Sequence, residues 1–283
     1  MIFVNSCVVV PHRSSVIILP TNPNKKDMPM RVLFVSSEII PFVQVTEVAE
    51  LVRLLPERLQ EAGLVEPRIM MPRYGIISER RNRLHEVIRL SGTHIPLGKD
   101  QETLKVKVAA IPGIRLQVYF MDNTRYFKRK GVYADKEGTE FPDNVARALF
   151  FGRAVLETVR KLGWAPDIVH AFGSLAGLVP FLLTTEYAQD PLFARARRIY
   201  TPDGLSLKAR LRTAVLEKLR LPQDELLADR SLDEAGRALA EVVAYPASLQ
   251  PVESEAMQFA VEPEAIVEQA AALYEQLLSS VPA

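Results

Sequence analysis

The chain has 283 residues, 48% hydrophobic and 24% charged, with a net charge of +1, so it can bury a sizeable core and carries no global field for nucleic acid or anionic lipid. Its one cysteine, Cys7, excludes an internal disulfide and a thiolate metal cluster, and His12, His85, His94 and His170 lack zinc-site spacing. No basic run with interleaved aromatics points to nucleic acid, and no metal or cofactor is expected.

Residues 1–29 read as lying outside the domain, either a disordered arm or a translation-start artefact, because they end in the polar connector PTNPNKKDMP with Met28 and Met30 both standing before the first strand. A short strand from Val16 to Leu19 is the alternative. No segment reaches the roughly 20 apolar residues that span a bilayer. The N-terminal apolar stretch is broken by Pro11, His12 and Arg13 and has no basic lead-in. Neither a membrane span nor a secretory signal is expected, which leaves the cytoplasm as the default location.

Residues 30–283 read as a single domain with a helical tail. Val32 to Ser36 is a β-branched and aromatic run typical of a buried parallel strand. Val48, Val52, Leu55 and Leu59, widened by Leu51, predict a helix, which Pro56 is expected to kink. Arg68 to Met71 is a second strand. His85 to Leu90, Leu104 to Ile111 and Arg115 to Met121 follow as strands, the last two joined by Pro112-Gly113 as a hairpin insertion.

An irregular, charged and aromatic stretch leads to Asp143, expected to cap a helix from Asn144. Val145, Leu149, Leu156 and Val159 mark its buried side, with Gly152 where a partner packs close. Asp167 to His170 is a strand, Ser174 is expected to cap the next helix, and Arg198 to Thr201 is a strand ending at Pro202-Asp203-Gly204. Helices over Leu207–Leu219, Leu232–Ala240 and Pro263–Leu278, with short strands at Glu241–Ala244 and Gln258–Val261, complete the chain. The fold class is α/β: a Rossmann-like, mostly parallel sheet with a β-hairpin insertion.

The motifs VLFVSSEIIPF, MPRYG, QVYFMDNTRYFKRKGVY, DNVARALFFGRAVLE, GWAPDIVH and GLVP occur in that order between Arg31 and Gly204. They resemble the N-terminal half of bacterial glycogen synthases and plant starch synthases. The shorter architecture looks like a short single-domain bacterial form. The resemblance implies GT-B architecture, two Rossmann-like domains with a site between them. It also implies retaining transfer of glucose from ADP-glucose or UDP-glucose to an α-1,4-glucan. About 80 residues follow Gly204, too few for a complete second Rossmann domain.

The resemblance also shows where the family's functional residues are replaced. Its first loop carries K-T-G-G-L-x-D. Aligned without a gap, the lysine position is Gln44, the two glycines are Thr46 and Glu47, and the acidic residue is Glu50. Glycines before a helix N-terminus let a phosphate reach free N–H groups, and a carboxylate there opposes one. Glu47 is expected to stabilise the helix terminus instead. The family's V-H-x-H-D-W becomes Val169, His170, Ala171, Phe172, Gly173 and Ser174. Phe172 stands at the catalytic histidine and His170 matches the other one. A looser match to T-I-H-N puts Pro202 in place of histidine.

No catalytic residue is therefore assigned. Ser37, Glu38, Arg73, Tyr126 and Asn144 are left as a residual cleft. Glu38 and Glu50 as a glycosidase pair, and Ser36-Ser37 as a nucleophile, have weaker support. Tyr119, Phe120, Tyr126, Phe127 and Tyr133 suit either core packing or a sugar-stacking platform. The expectation is a catalytically degenerate glycogen-synthase-like protein that binds α-glucan or a glycogen-metabolism protein. One alternative is an active glucosyltransferase whose donor domain is supplied in trans. The other is an interaction module with no sugar affinity.

Overall fold

The computed structural model describes residues 7–11, 16–20, 28–223 and 225–280. In the leader, β1 (Cys7–Pro11) and β2 (Val16–Pro20) pair antiparallel with each other and with no strand of the main sheet. A hairpin thus occupies part of the stretch expected to be disordered. His12 and residues 21–27 of the connector lie outside the described residues.

The main sheet begins with β3 (Met30–Ser36), whose Val32, Leu33, Phe34 and Val35 are fully buried. Helix α1 (Val48–Glu61) buries all five residues of its apolar stripe and continues past Pro56, which does not end it. Strand β4 (Val65–Pro72) follows, then β5 (His85–Glu86), β6 (Thr93–Leu97), β7 (Asp100–Ala110) and β8 (Gln117–Asp122). The expected strand to Leu90 stops at Glu86, and residues 87–90 form a turn that buries Leu90 while leaving Ile88 exposed. The unanticipated β6 contains Pro96 and pairs only with β7. Such an edge tolerates a residue that cannot donate to a ladder.

Short α2 (Thr124–Phe127) precedes α3 (Asn144–Leu162). The predicted close approach at Gly152 is present: a Cβ there would come 2.7 Å from the Leu182 side chain. Strand β9 (Ile168–Phe172), α4 (Val179–Thr184) and β10 (Arg197–Thr201) follow. The tail contributes α5 (Thr213–Leu219), α6 (Leu232–Leu239), β11 (Val242–Tyr245), β12 (Met257–Gln258) and α7 (Pro263–Ser279).

The strand order is β12-β11-β10-β9-β3-β4-β8-β7-β5. From β12 to β8 the strands run parallel, and β7 turns antiparallel to β8, with Val108 opposite Tyr119. The anticipated hairpin is therefore the insertion edge of a parallel sheet, and the tail adds two further parallel strands at the other edge. Helix α7 returns to pack on α1, burying Ile266, Val267, Ala270, Ala271, Tyr274 and Leu277.

Two expected caps are replaced by stronger partners. Asp143 makes no capping bond; its carboxylate takes a bidentate pair from Arg129 at 2.6 Å and 2.6 Å. Planar charge-assisted pairs of this kind are about twice as strong as neutral bonds. Ser174 opens a 3₁₀ turn rather than a helix, and its hydroxyl donates to Asp203 at 2.9 Å. Among the described residues, no helix is long and apolar enough to cross a membrane.

Candidate functional site

In open parallel sheets ligands gather beyond the carboxyl ends of the strands. Here β3, β9 and β10 end side by side, and the residues just past them form one buried polar network. The Ser37 amide donates to the Phe172 carbonyl at 3.1 Å, and the Ser37 hydroxyl accepts from the Leu175 amide at 3.2 Å. Tyr74 donates to the Ser37 carbonyl at 2.8 Å. Gly173 must lie this close: its φ is +77°, and a Cβ would come 2.7 Å from the Ser37 hydroxyl oxygen.

Asp203 is the second hub. Its carboxylate accepts from the Ser174 amide at 2.7 Å, the Ser174 hydroxyl at 2.9 Å, the Leu205 amide at 3.1 Å and the Tyr133 hydroxyl at 3.1 Å. Tyr133 is in turn held by Asn144, whose side-chain amide donates to the Tyr133 carbonyl at 3.0 Å. Sequence reasoning attended to Pro202 and missed Asp203. An acidic residue two positions past a parallel strand, between Pro202 and Gly204, was the available signal.

Glu38 decides the character of the loop before α1. Its carboxylate accepts from the Val45 amide, from the Thr46 amide at 3.1 Å and 3.2 Å, and from the Thr46 hydroxyl at 2.6 Å. The Val48 amide donates to the Thr46 hydroxyl oxygen at 3.3 Å. The N–H groups that would face a bound phosphate are thus already paired, and the protein's own carboxylate is the anion they hold. Burial pushes the Glu38 carboxyl above its ordinary pKa, and repulsion from Asp203 adds to this, while the loop donors oppose it.

The loop positions aligned with the family motif have separate partners. Gln44 donates to Glu50 at 2.9 Å, an exposed contact. Glu47 occupies the N-cap position of α1 but makes no cap bond. Its carboxylate instead accepts from the Ser248 amide at 3.2 Å and the Ser248 hydroxyl at 2.5 Å. Glu47 thus stands at the helix terminus where the sequence put it, and the contact with Ser248 is one the sequence did not suggest. It ties the segment after β11 across the strand ends. Leu249 lies against Gly204, where a Cβ would come 2.7 Å from its side chain. Gln258 donates to the Leu249 carbonyl at 2.7 Å and the Ala247 carbonyl at 3.2 Å, holding the segment in place.

His170 and Phe172 point below this surface. Phe172 is fully buried and stacks on His170 with ring centroids 3.9 Å apart. His170 is bracketed by the Tyr274 hydroxyl at Nδ1 and the Thr201 hydroxyl at Nε2, both at 2.8 Å. Burial holds its pKa well below the ordinary value, so it stays neutral. It joins α7 to the sheet.

The residual-cleft residues converge only in part, Asn144 reaching the strand-end network through Tyr133. Ser37 and Glu38 belong to the network above. Arg73 is drawn into a charged cluster, 2.5 Å from Glu79 and 3.5 Å from Asp122, with Lys107 at 2.6 Å and 3.0 Å from the same carboxylates. Asn144 and Tyr126 flank Arg147, a fully buried guanidinium that donates to the Tyr126 carbonyl at 2.9 Å, the Val132 carbonyl at 2.7 Å and the Asn144 side chain at 2.7 Å. Four of the five aromatics are packing: Phe120 and Phe127 are fully buried, and Tyr126 and Tyr133 nearly so, while Tyr119 is half-buried and its hydroxyl accepts from Arg68 at 3.4 Å. Among the described residues, no group of three or more His, Cys, Asp or Glu side chains is placed to hold a metal.

A parallel sheet with an antiparallel insertion edge, its ligand edge formed by β3, β9 and β10, defines a glycosyltransferase-like half of GT-B type. The family model of the starch synthase catalytic domain matches residues 31–257, and the chain belongs to that family. It is 41% identical to a glycogen synthase of Chlorobium limicola over 195 residues, which is 69% of this chain and 40% of that protein. A glycogen synthase of Chlorobaculum parvum is 44% identical over 168 residues, 59% of this chain and 34% of the relative. The chain thus spans 34–40% of the length of these curated relatives. The catalytic domain of starch synthase IV from Arabidopsis thaliana, solved with ADP and acarbose, superposes with a TM-score of 0.64 at 18% identity, covering 88% of this chain and 50% of that one. This match shows a shared fold.

Proposed function

We propose that this chain is a glycogen-synthase-like protein that no longer transfers glucose and serves as a glucan-binding, regulatory or scaffolding component of glycogen metabolism. The observation that carries this reading is the loop before α1, which holds Gln44, Thr46 and Glu47 where the family motif has lysine and glycines and whose Val45 and Thr46 amides are seated on the Glu38 carboxylate. A diphosphate approaching α1 would have to displace a buried carboxylate, and would meet Glu47 beside it. Two like charges about 4 Å apart repel by roughly 4 kcal/mol at an effective dielectric of 20. The Ser248–Leu249 segment closes the same surface from the tail. Family membership and the named relatives support the link to α-glucan, and a cytoplasmic setting goes with it.

The test uses the purified full chain. With ADP-glucose or UDP-glucose and glycogen as primer, no glucose transfer is expected, while the chain is retained with glycogen in co-sedimentation. Turnover, alone or with a donor domain added in trans, would overturn the loss of transfer. No retention by glycogen would favour an interaction module without sugar affinity.

A further inference from the structure

The strand order ends in β5 on one side and β12 on the other, and the two ends carry opposite charge. At the first, β5 pairs with β7 alone. Arg80, Arg81 and Arg83 lie in the turn leading into it, and Arg89 in the turn leaving it. All four are exposed, and none has an ion-pair partner among the described residues. Glu79, in the same turn, is taken by Arg73 and Lys107, so of the carboxylates in residues 79–89 only Glu86 is left to offset them. At the other end, β12 pairs with β11 alone. It lies in a stretch of the opposite kind: residues 238–283 hold seven glutamates and no lysine, arginine or histidine. Glu253 is paired with Arg237 at 2.7 Å. Glu255 before β12, Glu262 after it and Glu264 in the first turn of α7 have no ion-pair partner among the described residues.

Apolar exposure follows the same two ends. Among the described residues, the three most exposed large hydrophobic side chains are Ile88 at 77%, Val261 at 76% and Val252 at 75%. Ile88 stands next to Arg89 just past β5, while Val252 and Val261 flank β12 next to Glu253 and Glu262. A single exposed apolar side chain needs no explanation. Here each lies at an outer edge and is bordered by charge of one sign, an apolar centre with a charged rim. Like charge keeps each edge from meeting itself, since two β5 edges would set arginines against arginines and two β12 edges would set glutamates against glutamates. Unlike edges suit each other: arginines would face glutamates, and Ile88 would meet Val252 and Val261.

We propose that the chain associates head to tail with copies of itself, the arginine edge at β5 of one copy docking on the glutamate edge at β12 of the next. Each copy keeps one edge of each kind, so association continues past a dimer into a ring or a filament. The contact is led by exposed charge, so it is strongest at low salt and is screened as salt rises. Both edges are separate from the Glu38 loop, and the association does not depend on the loss of glucose transfer proposed above.

Sedimentation velocity of the full chain over a concentration series tests this. At about 0.01 M salt, where the screening length is roughly 30 Å, species larger than a dimer should grow with concentration. At about 1 M, where it is roughly 3 Å, they should revert to monomer. The triple variant Arg80→Glu, Arg81→Glu, Arg89→Glu should be monomeric at low salt, and so should Glu255→Lys, Glu262→Lys, Glu264→Lys, because one reversed edge makes both edges of a copy alike. Mixed one to one, the two variants should associate again, since every edge then has an opposite partner, and this recovery also shows that both are folded. Ile88→Ser should weaken association of the parent by about tenfold. A chain that is monomeric at low salt, association indifferent to salt or to either charge reversal, or a mixture that stays monomeric would each overturn the proposal. Glycogen retention is read separately, so failure here leaves the proposed function standing.

Discussion

The loop entering α1 and the β5 edge of the sheet are both polar sites bordered by main-chain turns, and they differ in what satisfies them. In the loop, the amides of Val45, Thr46 and Val48 are all paired within the chain, two of them with Glu38. At the edge, Arg80, Arg81, Arg83 and Arg89 have no ionic partner among the described residues. The site that the family resemblance points to is internally complete. The edge, to which no catalytic motif belongs, is the one left open. Buried donors must be paired or cost stability, whereas exposed cations can wait in water.

The largest expected effect comes from emptying the first site. Glu38→Ala strands two amides and a hydroxyl, and should cost about 2–4 kcal/mol in urea unfolding. Relief of the carboxylate's own burial, evident in its raised pKa, sets the upper end. If Glu38 acts as a built-in anion, pyrophosphate should raise the melting temperature of Glu38→Ala and leave the parent unmoved. Equal stabilisation of both would break the contrast between the two sites.

Gly98→Ala acts on the same insertion edge of the sheet, at the β6–β7 turn that packs on α5. Its positive φ and the crowding carbonyl of Lys218 predict a loss of about 1–3 kcal/mol and movement of α5. Comparable urea midpoints for Gly98→Ala and the parent would show that α5 docks elsewhere.

Just beneath the strand ends, His170 gives a pH signature. Its folded pKa lies well below 6.5, so below about pH 6.5 the unfolded chain binds a proton that the folded chain does not. The stability is fully present above that pH and falls with acidification, by up to about 1.4 kcal/mol per unit from this group. In His170→Gln that portion of the slope should disappear from denaturation curves taken between pH 5 and 7. Tyr274→Phe, which removes the hydroxyl at Nδ1, should cost about 1 kcal/mol in the same assay at pH 7.5.

The smallest effects belong to exposed positions. Ser248→Ala should cost under about 1 kcal/mol, and its readout is faster amide exchange at residues 246–249. Arg81→Ala should leave stability within about 0.5 kcal/mol, as expected for an unpaired surface charge. A large loss there would show that Arg81 has a structural partner and close the second site.

Much of the fold was legible because it rests on short-range periodicity. The α1 stripe of Val48, Val52, Leu55 and Leu59 and the Pro112-Gly113 hairpin each depend on neighbours in sequence, and Gly152 was found by its place on a helical stripe although its partner, Leu182, was not. Strand β6 was missed because Pro96 argues against a strand unless the edge position is known. The candidate site was less legible. Gln44, Thr46, Glu47 and Phe172 were singled out by comparison with a family motif, yet nothing local said what those residues do.

By itself the sequence determined the parallel-sheet class, its insertion edge and the principal helices, since patterning suffices for these. Only the tertiary structure decided that Glu38 folds back onto Val45 and Thr46. It alone showed that Glu47 meets Ser248, that Asp203 holds Ser174 and Tyr133, and that His170 is bound by Tyr274. Glu38 is only 7 and 8 residues from Val45 and Thr46 and is placed by the strand and helix that flank its loop, whereas for the other contacts the physical reason is separation. Glu47 and Ser248 lie 201 residues apart and His170 and Tyr274 lie 104 apart, and a hydrogen bond over that span exists only once the sheet and tail have been packed together.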